Sequence, residues 1–129
     1  MTEHVNTLLK KHSISIKYAL EGMVWAFKSQ ANYRIHFILS IASLLASYFL
    51  HISYIEFLII LILIFIGIMV EAVNTAIELT TDAIDKEWRT DIKLAKDVAA
   101  AAMLIFSFGA LIIAGIIFIP KMIHLISAI

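Results

Sequence analysis

The chain has 129 residues, 62% of them hydrophobic, with 10 basic and 10 acidic side chains and no cysteine. A mean hydropathy of +0.96 lies far above that of a soluble globular domain and indicates a single-domain, all-α integral membrane protein. The balanced charge gives no reason to expect a nucleic-acid partner, and the lack of cysteine excludes disulfides, thiolate chemistry and cysteine-ligated metals.

In chain order, residues 1 to about 12 are polar and read as a frayed start. The first 30 residues carry charge throughout and lack a continuous apolar core, so no cleavable signal peptide is expected. From about 13 to 30, Ile16, Leu20, Met23 and Phe27 recur at helical spacing, with Lys17, Glu21 and Lys28 on another face. Tyr18 and Trp25 add amphipathic rings, so this segment is expected to be an interfacial amphipathic helix. Packing of an ordinary helix on the rest of the protein would give the same pattern.

Three membrane spans are expected to follow, over about 33–52, 55–85 (including a cytosolic extension) and 97–119. Ser40, Ser43, Ala46 and Ser47 permit close helix packing in the first, and Gly109 and Gly115 do so in the third. The turn 51–56 carries no Lys or Arg and the C-terminal tail only Lys121. Lys10, Lys11, Lys17 and Lys28 precede the first span, Arg34 lies at its entry, and Lys86, Arg89, Lys93 and Lys96 lie between the second and third. The positive-inside rule therefore puts the N-terminus and the 86–96 segment in the cytosol.

Between these basic segments lies Gly67 to Asp85, GIMVEAVNTAIELTTDAID, the stretch that carries the chemistry. Glu71, Asn74, Glu78 and Asp82 fall within an arc of about 80° on one helix face and span roughly 16 Å along its axis. Val73, Ile77 and Ile84 occupy the opposite face. Carboxylates at the mouth of a span are costly unless they bind a metal, hold a proton or face a polar cavity. The plainer alternative is a solvated face where the helix leaves the bilayer. Acidic and amide oxygens facing Lys and Arg suit a metal–polyphosphate site, since Mg²⁺ takes oxygen ligands and cations neutralise phosphate oxygens. Lys96 and Asp97 form a second charged pair, which snorkelling and helix capping would equally explain. No GxxxxGK[ST] or GxGxxG loop is present, so any nucleotide is held without a P-loop or protein-kinase cradle.

The pattern Glu71-Ala-Val-Asn74-Thr-Ala-Ile-Glu78, then Asp82, then after 13 residues Lys96-Asp97-Val-Ala-Ala, resembles the signature of the bacterial diacylglycerol kinase/undecaprenol kinase family. These are small, trimeric, integral membrane lipid kinases. Tyr18, Gly22, Trp25 and Asn32–Tyr33–Arg34 fit the same family. The resemblance implies an ATP-dependent enzyme that transfers the γ-phosphate to the hydroxyl of a membrane lipid alcohol, diacylglycerol or undecaprenol. It implies a homotrimer in the bacterial cytoplasmic membrane, with active sites between subunits on the cytosolic side.

By position, the resemblance makes Glu71 the catalytic base, Glu78 a Mg²⁺ ligand and nucleotide contact, and Asn74, Trp25 and Arg34 residues that shape the site. Lys11, Tyr18, Gln30, Glu87, Arg89, Lys96 and Asp97 fall where the family meets nucleotide. One departure stands out. The family has a second acidic metal ligand where this chain has Gln30, whose amide oxygen can coordinate but lacks the charge. That makes a catalytically weakened member one alternative; a small cation or proton transporter using the same carboxylates is the other.

Overall fold

A computed structural model describes residues 2–84 and 89–127, with side chains described from residue 15 onward. It contains four helices among these residues: α1 (Thr2–Ser29), α2 (Ala31–Phe49), α3 (Tyr54–Ile84) and α4 (Thr90–Ser127).

Two elements run further than expected. Helix α1 starts at Thr2 and takes in the segment read as frayed. Helix α4 starts at Thr90, well before the expected 97, and continues through Pro120 to Ser127. Asp97 therefore lies two turns inside a helix, and capping of a helix N-terminus does not explain it. Proline in an apolar helix costs one backbone hydrogen bond, a loss that helices surrounded by other helices tolerate.

Helices α3 and α4, with 31 and 38 residues, are long and apolar enough to cross a membrane. At 1.5 Å per residue they measure about 46 and 57 Å, against a hydrocarbon thickness of about 30 Å. Each therefore has length to spare for a charged extension. They form an antiparallel hairpin and pack on each other more extensively than any other pair; α2 packs on α3, and α1 on α2 and α3. Gly67 sets the closeness of the hairpin. A Cβ there would lie 2.8 Å from Cε1 of Phe106 on α4, so only glycine admits the ring at its present position.

The burial pattern is inverted relative to a soluble bundle. Ser47, Glu71, Asn74, Thr75 and Thr81 are buried, whereas Val73, Ile84 and most large aliphatic side chains are exposed. Hydroxyls return hydrogen bonds to their own helices: Ser40 Oγ donates to the carbonyl of His36, Ser47 Oγ to Ser43, and Thr80 Oγ1 to Ala76, each at 2.7 Å. An apolar solvent on the outside accounts for both features.

The α2–α3 turn is closed by local chemistry. His51 adopts a left-handed φ of 48°, and the amide of Ile52 reaches back to the carbonyl of Ser47 at 3.3 Å, a Schellman-type ending. Ser53 and Glu56 then cap α3 reciprocally. The Ser53 amide donates to Glu56 Oε2 at 2.6 Å, and the Glu56 amide donates to Ser53 Oγ at 3.3 Å. Lys121 on α4 lies 3.6 Å from the same carboxylate.

At the α1–α2 junction, Gln30 leaves the helical region with φ −102° and ψ 121°. The Arg34 guanidinium donates to the carbonyls of Phe27 at 3.3 Å and Lys28 at 2.9 Å, satisfying the end of α1. Phe27 and Phe37 meet edge to face at 5.5 Å between centroids.

Candidate active site

The polar row on α3 points inward. Glu71 is 2% exposed and Asn74 5%, which overturns the reading of these two as a solvated face. The Asn74 Nδ2 donates to Glu78 Oε1 at 3.1 Å, one turn along the helix. Glu78 is half-buried, and Asp82, another turn on, is exposed. The row thus runs from a closed interior to open solvent.

Two of its atoms are incomplete. Glu71 Oε2 and Asn74 Oδ1 are buried with no hydrogen-bond partner among the described residues. A buried polar atom left unpaired costs on the order of 1–3 kcal/mol, and more for a charged group. The Thr81 hydroxyl nearby, by contrast, is bonded to the carbonyls of Ile77 and Glu78, both at 2.9 Å.

Helix α1 approaches this row through its small side chains, not through the apolar stripe of its amphipathic pattern. Ile16, Leu20, Met23 and Phe27 are all exposed. Contact is made instead through Ala19, Gly22 and Ala26, which with Met23, Trp25 and Tyr33 face Ala72, Thr75, Ala76 and Leu79 across a groove of about 290 Å³. Small residues at i, i+3 and i+7 are the sequence signal for that contact, since they let two backbones draw together. Trp25 therefore sits beside the α3 segment that carries Asn74 and Glu78. Gln30, half-buried at the helix break, makes no capping hydrogen bond with its side chain.

The basic segment is held by carboxylates. Arg89 forms two hydrogen bonds to Asp91, at 2.6 and 3.2 Å. Asp97 pairs with Lys93 at 2.6 Å rather than with its neighbour Lys96. Lys96 reaches across to Asp82 on α3. Lys96 and Asp97 thus take different partners, because adjacent residues on a helix point about 100° apart. Arg34 is engaged with the end of α1 and Tyr18 is exposed. Glu87 lies outside the described residues, as does the side chain of Lys11.

The donors fit a hard divalent cation in part. No group of three or more His, Asp or Glu side chains close enough to share a metal occurs among the described residues. What the α3 row offers is oxygen: the Glu78 carboxylate and the unpaired Asn74 Oδ1. Mg²⁺ is often held by one or two carboxylates together with substrate phosphates and water, and that use needs no complete protein cage.

Fold and site together define a small all-helical protein of the membrane type, with an acidic–amide row on α3 joined to a lysine of α4 at one end of a long helical hairpin. The family model for prokaryotic diacylglycerol kinase matches residues 17–118. A diacylglycerol kinase of Synechocystis is 31% identical over 113 residues, covering 87% of this chain and 65% of that protein. An undecaprenol kinase of Bacillus subtilis is 34% identical over 108 residues, covering 84% of this chain and 88% of that one. A diacylglycerol kinase of Pseudomonas aeruginosa is 29% identical over 99 residues, covering 77% and 80%. The chain belongs to the prokaryotic diacylglycerol kinase family, and so to the lipid kinase class of enzymes. The matched stretch contains every expected site residue except Lys11.

Proposed function

We propose that the protein transfers the γ-phosphate of ATP to the hydroxyl of a membrane lipid alcohol, either diacylglycerol or undecaprenol. The observation that carries this reading is the buried Glu71 with an oxygen that has no partner among the described residues, one turn from an Asn74 that is itself incomplete among them. An alcohol entering from the bilayer would supply the missing hydrogen bond, and Glu71 would accept its proton as the oxygen attacks phosphorus. The P–O bond to the departing ADP breaks as the new one forms.

Glu78 and Gln30 would hold Mg²⁺, which when bound offsets charge on the phosphates. Asn74 fixes the Glu78 carboxylate through its amide. Lys96, with Arg89, Asp97, Tyr18, Lys11 and Glu87, would receive the nucleotide. Trp25 and Arg34 would shape the site through the α1–α3 groove and the α1–α2 junction.

In this reading residues 1–129 form one domain of the bacterial cytoplasmic membrane. Helix α1 lies in the interface, and α2, at 19 residues or about 28 Å, spans the membrane beside α3 and α4, for three spans in all. The site faces the cytosol. A homotrimer with sites between subunits would bring further side chains to the unpaired oxygens.

Purified protein with γ-labelled ATP and a panel of diacylglycerol and undecaprenol tests the proposal. Label in the lipid extract is the expected result, and the panel decides the substrate. Label released only as inorganic phosphate would overturn the kinase reading. Gln30 favours one further reading, a member with weakened metal binding. The transporter alternative predicts ion flux in proteoliposomes without ATP, and family membership weighs against it.

A further inference from the structure

The ion pairs flanking the site differ in reach. Arg89–Asp91 and Lys93–Asp97 are local, the second at i,i+4 on α4. Lys96–Asp82 joins α4 to α3 across 14 residues of sequence. Asp82 continues the α3 row one turn past Glu78, as Glu78 does past Asn74. The Lys96 ammonium is thereby bonded to a residue that lies one helical turn beyond Glu78, a rise of roughly 6 Å along the α3 backbone.

A pair in which Asp82 keeps 65% of its side-chain surface and Lys96 keeps 35% contributes little to stability. Its effect is on direction. A lysine stem has four rotatable carbons and samples many positions when untethered. An ammonium has three N–H donors, and a single bond to Asp82 leaves two for another set of oxygens. Asp82 therefore orients Lys96 without using up its hydrogen-bonding capacity.

We propose that Asp82 is a positioning residue for polyphosphate binding, which holds the Lys96 ammonium beside Glu78 while leaving it free to donate to phosphate oxygens. The inference rests on the reading of Lys96 as a nucleotide contact. Asp82 touches no substrate itself; it acts through Lys96.

Steady-state kinetics on the purified full chain, with MgATP and lipid alcohol varied separately, provide the test. Asp82→Ala is expected to raise KM for MgATP roughly three- to tenfold, leaving kcat and the lipid KM within about twofold. Asp82→Asn, which keeps an acceptor oxygen but not the charge, should show a smaller rise in the same direction, and it serves if the alanine variant does not fold. Asp82→Glu should recover most of the loss. In a Lys96→Met background, Asp82→Ala should add nothing, because the partner it orients is gone. A fall in KM for MgATP would make Asp82 a competitor of phosphate and overturn the proposal. Equal rises in both KM values with a lower unfolding temperature, or additive effects in the double variant, would make it a structural link and overturn it too. If Lys96→Met leaves KM for MgATP unchanged, the reading of Lys96 fails. If Lys96→Met raises it and Asp82→Ala does not, only the present inference fails.

Discussion

The two ends of helix α3 treat polar groups in opposite ways. At the Glu56 end every charge serves the chain itself: Ser53 and Glu56 exchange capping hydrogen bonds, and Lys121 closes the pair from α4. At the Glu71 end two buried groups are incomplete, with an oxygen of Glu71 and one of Asn74 unbonded among the described residues. Both ends join α3 to α4 by a lysine–carboxylate pair, Lys121–Glu56 and Lys96–Asp82. The difference teaches that charge at a helix end is not by itself a sign of function. Burial without satisfaction is, because folding alone gives no return for its cost.

Substitutions at the two ends are expected to act differently. The largest effect is expected at Glu71. Glu71→Gln should lower kcat by about 10²- to 10⁴-fold, the usual worth of a positioned general base, with no loss of thermal stability. Equal turnover by the variant would remove Glu71 from the chemistry. A smaller effect belongs to the metal. Gln30→Glu should raise activity several-fold at low Mg²⁺ and little at saturation, since it restores a charge to the expected ligand position. An unaltered Mg²⁺ dependence would place Gln30 away from the ion.

The Glu56 end should respond only in stability. Glu56→Ala removes half of the reciprocal cap and the partner of Lys121, and is expected to cost about 1 kcal/mol, read as a lower unfolding midpoint with kcat unchanged. The smallest effect is expected at His51, whose left-handed backbone is easier for glycine. His51→Gly should stabilise by about 0.5 kcal/mol at most, since the strain relieved is offset by the greater freedom of glycine in the unfolded chain.

The helices were largely legible in the sequence, because apolar runs with only one proline leave few ways to satisfy a backbone in lipid. The row Glu71–Asn74–Glu78–Asp82 was legible from spacing alone, since helical periodicity places it on one face. Its direction was not: a polar stripe facing water and one facing a protein interior have the same period, and only packing separates them. The docking face of α1 was less legible for a related reason. Ile16, Leu20, Met23 and Phe27 satisfy a hydrophobic pattern, but where the outside is itself apolar the small side chains Ala19, Gly22 and Ala26 mark the contact. The pairing of Lys96 with Asp82 depends on how the α3–α4 hairpin closes, which adjacency in sequence does not reveal. The Ser53–Glu56 cap, by contrast, is an S-x-x-E pattern that the sequence displays openly.

Thermal unfolding of the purified protein, titrated with Mg²⁺ and a non-hydrolysable ATP analogue, shows whether the Glu71 end is completed by ligand and the Glu56 end by the chain. A ligand that binds only the folded state raises the unfolding midpoint in proportion to its occupancy. The expected result is a concentration-dependent rise that Glu56→Ala retains in full and Glu78→Ala loses. A rise of the same size in Glu78→Ala, or none in the unsubstituted protein, would contradict the account.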